Sequence, residues 1–177
     1  MTRPLDSTGL KRLHRDWRRR TDGTVALLLD GVASPYNIGS IIRTAAAERV
    51  EHLWFTASAT APTATGVRKT ALGTEKYLTW DIGGTGPECV AAAQEAGYRV
   101  VALELTDDAA PLHELDLGSQ PVCLAIGHED RGLAPATLTA CDAVGFVPQL
   151  GRVGSLNVAV AAAVALYEVR RQEWKPG

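Results

Sequence analysis

Three short polar segments of the chain hold side chains that could orient a reacting group. The first, NIGSIIR, runs from Asn37 to Arg43, the second, GHEDRGL, contains Glu129, and the third, GRVGSLN, ends with Ser155 and Asn157. Amides, hydroxyls and carboxylates form directional hydrogen bonds, and a guanidinium binds phosphate or carboxylate in a bidentate fork. Such a set could position a polar substrate, although each segment also has a purely structural interpretation.

Helix capping explains several of these side chains when each is taken alone. Asn37 is well placed as the N-cap of a helix predicted over about residues 38–48. Ser155 is similarly placed for a helix over about residues 155–172, with Asn157 in its first turn. The free N–H groups of that first turn could equally take a carboxylate or a phosphate.

Arg43 and Glu129 also leave alternatives open. Arg43 lies six residues after Asn37, nearly two helical turns along, at the end of an otherwise apolar stretch. It is therefore paired, extended towards solvent, or directed at a ligand. Glu129 lies between glycines, which suits either a tight turn with a solvated carboxylate or a loop whose backbone approaches a ligand closely at Gly127.

The polar segments follow apolar runs that predict β-strands. VALLLD, at residues 25–30, is bounded by turn residues and predicts a strand covered on both faces. Apolar runs alternate with helical patterns, which predicts an α/β domain with a mostly parallel sheet and helices on both faces. Ligands of such sheets bind beyond the carboxyl ends of the strands. The other predicted strands are 52–56, 76–80, 99–105, 121–127 and 144–148, and the other predicted helices are 87–97 and 135–140.

Charge is distributed unevenly along the 177 residues, which suffice for one compact domain. Residues 1–20 carry seven Lys or Arg against two Asp, whereas the rest of the chain carries eleven against eighteen acidic residues. Leu10, Leu13 and Trp17 recur at helical spacing, so residues 1–23 are predicted to form a basic, helical N-terminal extension. This asymmetry favours contact with a polyanion, although a solvated surface helix explains it equally well.

Several functional classes are disfavoured by missing features. The three cysteines lie far apart without a CxxC pair, which predicts reduced thiols in a cytoplasmic protein, with Cys123 in the core. The longest apolar stretch, residues 158–167, is too short for a membrane span, and no secretory signal is visible. The sequence also lacks GxGxxG, GxxxxGK[ST], GxSxG and any histidine spacing typical of a metal site.

Taken together and in this order, the three segments resemble the three motifs of the SPOUT superfamily, in its SpoU/TrmH branch of RNA ribose 2′-O-methyltransferases. NIGSIIR resembles the Asn-x-Gly-x-x-x-Arg of motif one, and LAIGHEDRGL resembles the Gly-x-Glu-x-x-Gly-Leu of motif two. VPQLGRVGSLNVAVAAAVALYE resembles motif three, in which Ser-Leu-Asn begins the last helix. The resemblance covers roughly residues 25–168. Gln149 and Ala159 depart from it, since an apolar residue and a small hydroxyl residue are frequent there.

The resemblance implies a methyltransferase domain over residues 24–177 with a deep trefoil knot in its C-terminal third. It implies S-adenosylmethionine as methyl donor, a ribose 2′-hydroxyl of tRNA or rRNA as acceptor, and a homodimer whose catalytic centre draws on both subunits. Neither a metal nor a membrane is expected. The implied catalytic residues are Arg43, Asn37, Glu129, Ser155 and Asn157, and the implied cofactor contacts are Leu103, Gly127, Val147 and Leu156.

RNA contacts are expected mainly from the basic extension and from the loop before the last helix. The loop residue Arg152 is equally well explained as solvated. In the tail after Glu168, Arg170, Arg171 and Lys175 are also available to RNA. The expected RNA-binding residues are Arg12, Arg15, Arg18, Arg19, Arg20 and Arg152.

The resemblance implies that Arg43, as the motif-one arginine, activates the acceptor hydroxyl, and the chemistry of that acceptor limits how it can do so. A ribose hydroxyl holds its proton tightly, and an arginine whose pKa exceeds about 12 is a poor base. We therefore expect Arg43 to bind the neighbouring phosphate and to stabilise the developing alkoxide. One alternative is a non-catalytic RNA-binding protein on the same fold. A nucleotide-binding oxidoreductase is the other, and the missing glycine fingerprint argues against it.

Overall fold

The computed structural model describes residues 2–174, which form a seven-stranded sheet flanked by helices. Lys175, predicted to be available to RNA, lies outside the described residues. In the sheet the strands follow the order β3-β2-β1-β6-β4-β7-β5, and every neighbouring pair is parallel. The predicted α/β architecture is thereby confirmed. The strands are β1 (Val25–Leu29), β2 (His52–Phe55), β3 (Thr79–Ile82), β4 (Arg99–Leu103), β5 (Ala110–Pro111), β6 (Val122–Ile126) and β7 (Ala143–Phe146).

Six α-helices occur within residues 2–174, and none of them is both long and apolar enough to cross a bilayer. The predicted strand over 76–80 is wrong in its first half, because Thr74–Tyr77 form a 3-10 turn and the strand begins at Thr79. Gly73 precedes that turn with a left-handed backbone, which ends the preceding helical segment. The helices are α1 (Ser7–Arg18), α2 (Pro35–Ala47), α3 (Thr65–Ala71), α4 (Gly86–Glu95), α5 (Pro135–Ala140) and α6 (Val158–Glu173).

Helices cover both faces of the sheet, as predicted. β1 is buried along its whole length, and its side chains alternate between two hydrophobic clusters. Leu27 and Leu29 pack into the cluster that includes α2, α3 and α6, whereas Ala26 and Leu28 pack into the one that includes α4. The predicted core position of Cys123 is confirmed, since its exposed fraction is 0%.

The starts of α2 and α6 correct two predicted helix caps. α2 begins at Pro35, and its N-cap is Ser34, whose hydroxyl accepts a hydrogen bond from the Asn37 N–H. Proline suits the first helical position because its φ is already fixed near the helical value. Prediction of Asn37 as the cap was therefore wrong, and its side chain is free for other partners.

α6 begins three residues later than predicted. Its N-cap is Asn157, whose Oδ1 accepts hydrogen bonds from the N–H groups of Ala159 and Val160. Ser155 was predicted as the cap, but it lies outside the helix in an exposed loop. Both residues are good N-caps, so the local pattern did not distinguish them.

Arg170 anchors the other end of α6 and is almost completely buried, with an exposed fraction of 2%. Its guanidinium donates to the backbone carbonyls of Gly23, Glu48 and Arg49 and forms an ion pair with Glu173 at 3.0 Å. The side chain thereby joins α6 to the start of β1 and the end of α2. The prediction that Arg170 is available to RNA was wrong.

Replacing Arg170 by alanine is expected to lower the free energy of unfolding by about 3 kcal/mol, because three carbonyls and a carboxylate lose a buried partner. Urea denaturation measures this change. Arg171→Ala is the matched control on the same helix, since Arg171 is exposed and pairs only with Glu168 within the helix. Equal stability of the two variants would contradict the anchoring role.

Candidate active site

The sheet brings the first two polar segments together at its carboxyl edge. β1 and β6 are neighbouring parallel strands, so the loop that leads into α2 lies beside the loop that follows β6. The second loop is closed by two backbone hydrogen bonds between His128 and Gly132, at 3.0 and 2.9 Å. This closure presents Glu129 to the amino end of α2.

Glu129 holds the start of α2 through both oxygens of its carboxylate. It accepts hydrogen bonds from the N–H groups of Ala33 and Ser34, at 3.0 and 2.9 Å, and from Asn37 Nδ2 at 2.9 Å. The backbone groups are free to donate because they lie at the end of the helix. Glu129 is therefore partly exposed but held by hydrogen bonds to the start of α2, and within residues 2–174 it forms no ion pair with an arginine.

Asn37 extends the contact to the third polar segment. Its Oδ1 accepts a hydrogen bond from Asn157 Nδ2 at 3.0 Å, and Asn157 Oδ1 caps α6. Each amide uses its nitrogen towards one partner and its oxygen towards the next. We call this connected series of Glu129, Asn37 and Asn157 the amide relay.

The ionisation of Glu129 depends on the same hydrogen bonds. Partial burial opposes the charged form, but hydrogen bonds from Asn37, Ala33, the residue's own N–H and Ser34 outweigh it and lower the pKa to about 2. Because this value is below the ordinary 4.5, the carboxylate stabilises the fold above about pH 4.5. That stabilisation is lost as the pH falls towards 2.

Gly127 is required by the path of the backbone. A Cβ atom at this position would lie 2.2 Å from the carbonyl carbon of Gly132 and 2.3 Å from the N of Leu133. Gly132 itself has a φ of +65°. The two glycines therefore allow the loop to cross closely over the end of β6.

A small cavity lies beside this loop, with a volume of about 100 Å³. Three of the four predicted cofactor contacts line it, and Gly127 is one residue beyond β6 in the neighbouring loop. Gln149 also lines it, and its Oε1 is buried without a hydrogen-bond partner among the described residues. The lining residues are Leu103, Glu104, Leu105, Phe146, Val147, Gln149, Ser155, Leu156 and Ala161.

Glu104 is a cavity residue that the sequence patterns did not indicate. Its Oε2 accepts a hydrogen bond from the N–H of Leu133 at 2.9 Å, which ties the end of β4 to the loop after β6. A Cβ atom on Gly132 would lie 2.2 Å from the same oxygen. In the sequence, Glu104 follows β4 and Gly132 follows β6. These positions suggest a contact only when β4 and β6 are known to be neighbours in the sheet, which the sequence patterns did not show.

Arg43, Ser155 and Arg152 take no part in the amide relay. Arg43 is an exposed residue of α2, and it has no hydrogen-bond or ion-pair partner within residues 2–174. Six residues along an α-helix correspond to about 9 Å and to a rotation of about 240°, so Arg43 projects from a different side of α2 than Asn37. Ser155 and Arg152 are exposed in the loop before α6, and Ser155 lines the cavity.

Comparison with known proteins decides the family. The family model described as the SpoU rRNA Methylase family matches residues 24–167. The chain belongs to this family. The family predicted from the three motifs is thus confirmed.

Relatives of this SpoU chain include named RNA methyltransferases. It is 36% identical to the tRNA (guanosine(18)-2′-O)-methyltransferase of Thermus thermophilus over 90% of its own length and 80% of the relative's. It is 34% identical to a 23S rRNA (guanosine-2′-O-)-methyltransferase of Acinetobacter baylyi over 87% of its own length. The chain spans only 62% of that Acinetobacter protein.

A solved structure shows the same fold with a bound cofactor. The SpoU methyltransferase AviRb of Streptomyces viridochromogenes, in complex with the cofactor AdoMet, superposes with a TM-score of 0.77 at 31% identity. The superposition covers 86% of this SpoU chain and 61% of AviRb.

Replacing Glu129 by glutamine is expected to lower the free energy of unfolding by about 1 kcal/mol at pH 7, since the side chain is partly exposed to solvent. The difference from the unmodified protein should shrink as the pH falls from 4.5 towards 2. Thermal unfolding between pH 7 and pH 3 measures it, with Glu95→Gln at an exposed position of α4 as control. A difference that is the same at both ends of this range would contradict the pKa of Glu129.

Proposed function

We propose that the protein is an RNA 2′-O-methyltransferase that transfers a methyl group from S-adenosylmethionine to a ribose hydroxyl of tRNA or rRNA. The observation that carries the proposal is the amide relay, which joins all three motif segments, the third of which also lines the cavity through Ser155 and Leu156. The relatives named as tRNA and 23S rRNA guanosine 2′-O-methyltransferases support the same reaction.

The lining of the cavity offers contacts that an adenosyl group would use. Leu103, Val147 and Leu156 offer apolar walls, and the carboxylate of Glu104 offers an acceptor for ribose hydroxyls. The unpartnered Oε1 of Gln149 is a second acceptor in the wall. S-adenosylmethionine bound there would supply an electrophilic methyl group on its sulfonium, and the bound AdoMet of AviRb supports this assignment.

In the proposed reaction the residues of the chain align the acceptor and neutralise its charge. A hydroxyl must lie in line with the bond to the methyl group, which favours a rigid site. The amide relay provides that rigidity, and its member Asn157 follows directly after the cavity residues Ser155 and Leu156. Arg43 binds the phosphate next to the acceptor ribose and stabilises the developing alkoxide.

We also propose that the active site forms between two copies of the chain. Arg43 projects from another side of α2 than Asn37, so a guanidinium from the partner subunit would complete each cavity. α6 offers an apolar face for this contact, because Val160, Val164 and Tyr167 are 51%, 42% and 56% exposed. These residues recur at helical spacing on one side of α6.

Sedimentation equilibrium tests the dimer. The unmodified protein is expected to have the mass of two chains, and Val164→Arg is expected to shift it to one because a charge would be buried at the interface. Ala163, the neighbouring position, serves as control in the variant Ala163→Ser. A monomeric unmodified protein would exclude a shared active site.

The trefoil knot and the domain boundaries are further parts of the proposal. β7 inserts between β4 and β5, and α6 returns across the sheet to pack against α2 and β6, which is compatible with a chain that threads a loop. The methyltransferase domain would comprise residues 24–177 and the basic extension residues 1–23. Tracing the chain in an experimental structure tests this, since an α6 that passes through no loop would exclude the knot.

The reaction itself is tested with labelled S-adenosylmethionine and bulk tRNA or rRNA, followed by alkaline digestion. A labelled, alkali-resistant dinucleotide is the expected product. Arg43→Ala is expected to lower the rate at least about 100-fold without changing the affinity for S-adenosylhomocysteine, since it removes the alkoxide partner. Arg171→Ala is the control for loss of a surface arginine. Binding of RNA without methyl transfer would favour the non-catalytic alternative.

We propose that the arginines of α1 and Arg152 bind RNA phosphates. α1 has no buried residue, so its charges are accessible, and Arg152 lies in an exposed loop. Replacing Arg12, Arg15 and Arg19 by glutamine is expected to weaken RNA binding and to reduce the slope of log K against log salt by about 2 to 3. Arg152→Gln should reduce it by about 1. Unchanged slopes would mean that these arginines are only solvated.

A further inference from the structure

A groove in the described surface lies at the opposite edge of the sheet from the candidate active site. Its volume is about 560 Å³, within the range of ligand sites. It is bounded by α1 and by the carboxyl ends of α2 and α6. We call it the tryptophan groove, and its lining includes Leu13, Trp17, Arg18, Glu48, Arg49 and Trp174.

The indole N–H of Trp174 and the backbone carbonyl of Trp17 are already hydrogen-bonded within the protein. Trp174 Nε1 donates to the hydroxyl of Thr21 at 2.8 Å, and that hydroxyl donates to the carbonyl of Trp17 at 2.8 Å. The two rings lie in tilted contact, with their centroids 4.9 Å apart. The side chain of Trp17 is fixed by this contact, yet 42% of the residue is exposed. Its aromatic surface is thus both held in place and accessible.

Cations surround these rings. Arg18 and Arg49 line the groove, and the guanidinium of Arg20 lies 5.4 Å from the Trp17 ring centroid. Residues 7–20, which comprise α1 and the two residues after it, carry six Lys or Arg against one Asp. The groove therefore combines aromatic faces with positive charge, which is the combination that binds single-stranded nucleic acid.

The backbone conformation of Arg49 is a separate indication that a positive charge is needed beside the groove. Arg49 has a φ of +58°, a left-handed conformation that favours glycine, at the position that follows the C-cap of α2. Its guanidinium donates to the carbonyl of Thr21 at 3.3 Å. A cationic side chain is thus held beside the groove at a conformational cost of about 1 kcal/mol.

We infer that the tryptophan groove binds an unpaired nucleobase of the RNA, stacked on Trp17, with the neighbouring phosphates held by the arginines. The inference rests on the proposed function only in taking RNA as the partner. α6 spans 16 residues, or about 24 Å, between the amide relay and Trp174. The stacked base is therefore not the methylated nucleotide of the same subunit but a distant part of the RNA.

Direct binding tests this inference, with the full chain, a 12-nucleotide oligouridylate and a 12-base-pair RNA duplex as probes. Trp17→Leu keeps an apolar side chain but removes the aromatic face, and it is expected to weaken oligouridylate binding about tenfold. Trp17→Phe is the matched control and should restore most of the affinity. Duplex binding should be nearly unchanged by either variant, since paired bases cannot stack on a side chain.

Salt dependence and cofactor binding separate this inference from the other proposals. Trp17→Leu should leave the salt slope and the affinity for S-adenosylhomocysteine unchanged, because stacking releases no counterions and the cavity is remote. Equal oligouridylate affinity of Trp17→Leu and the unmodified protein would overturn the inference. So would a change of sedimentation mass alone, which would assign the groove to a second copy of the chain. If no methyl transfer were found, the proposed reaction would be wrong, but a loss of RNA affinity in Trp17→Leu would still support the inference about the groove.

Discussion

The carboxylate of Glu129 is the interaction on which the arrangement of the candidate active site depends. Its two oxygens hold two N–H groups at the start of α2 and the amide of Asn37, and Asn37 in turn holds Asn157 at the start of α6. A partly buried carboxylate is stable there because several donors face it, which also keeps its pKa far below the usual value. Without that charge, the start of α2 would lose its partner, and Asn37 would lose the contact that orients it towards Asn157 at the start of α6.

α6 is fixed at both of its ends by different kinds of contact. Asn157 caps it at the amide relay, and Arg170 joins its other end to backbone carbonyls of two other segments. Between these ends its buried face packs in the core, while Val160 and Val164 remain exposed. One helix thus connects the proposed methyl-transfer site, the proposed dimer contact and the tryptophan groove. The two proposed contacts with RNA would therefore lie at opposite ends of this helix.

Sequence patterns predicted most of the architecture because burial governs it. The apolar runs at β1, β4 and β6 and the alternation with helices were sufficient for a parallel sheet with helices on both faces. Local chemistry was less decisive. Ser34, Asn37, Ser155 and Asn157 are all suitable helix caps, and only packing selected Ser34 and Asn157. Arg170 and Arg171 are adjacent residues of the same type, and no local pattern distinguishes them. Only the structure shows that Arg170 is buried and Arg171 is exposed.

By itself, the sequence determined the fold class through its local composition and spacing, and it determined the family through the resemblance of its three polar motifs to those of known proteins. Only the tertiary structure decided which residues of these motifs touch. Glu129 and Asn37 are 92 positions apart, and Asn37 and Asn157 are 120 apart. Glu104 and Leu133, and likewise Trp17 and Trp174, are also in contact although they are far apart in the sequence. The physical reason is that parallel strand order brings distant segments to one edge of the sheet, and no local pattern encodes that order.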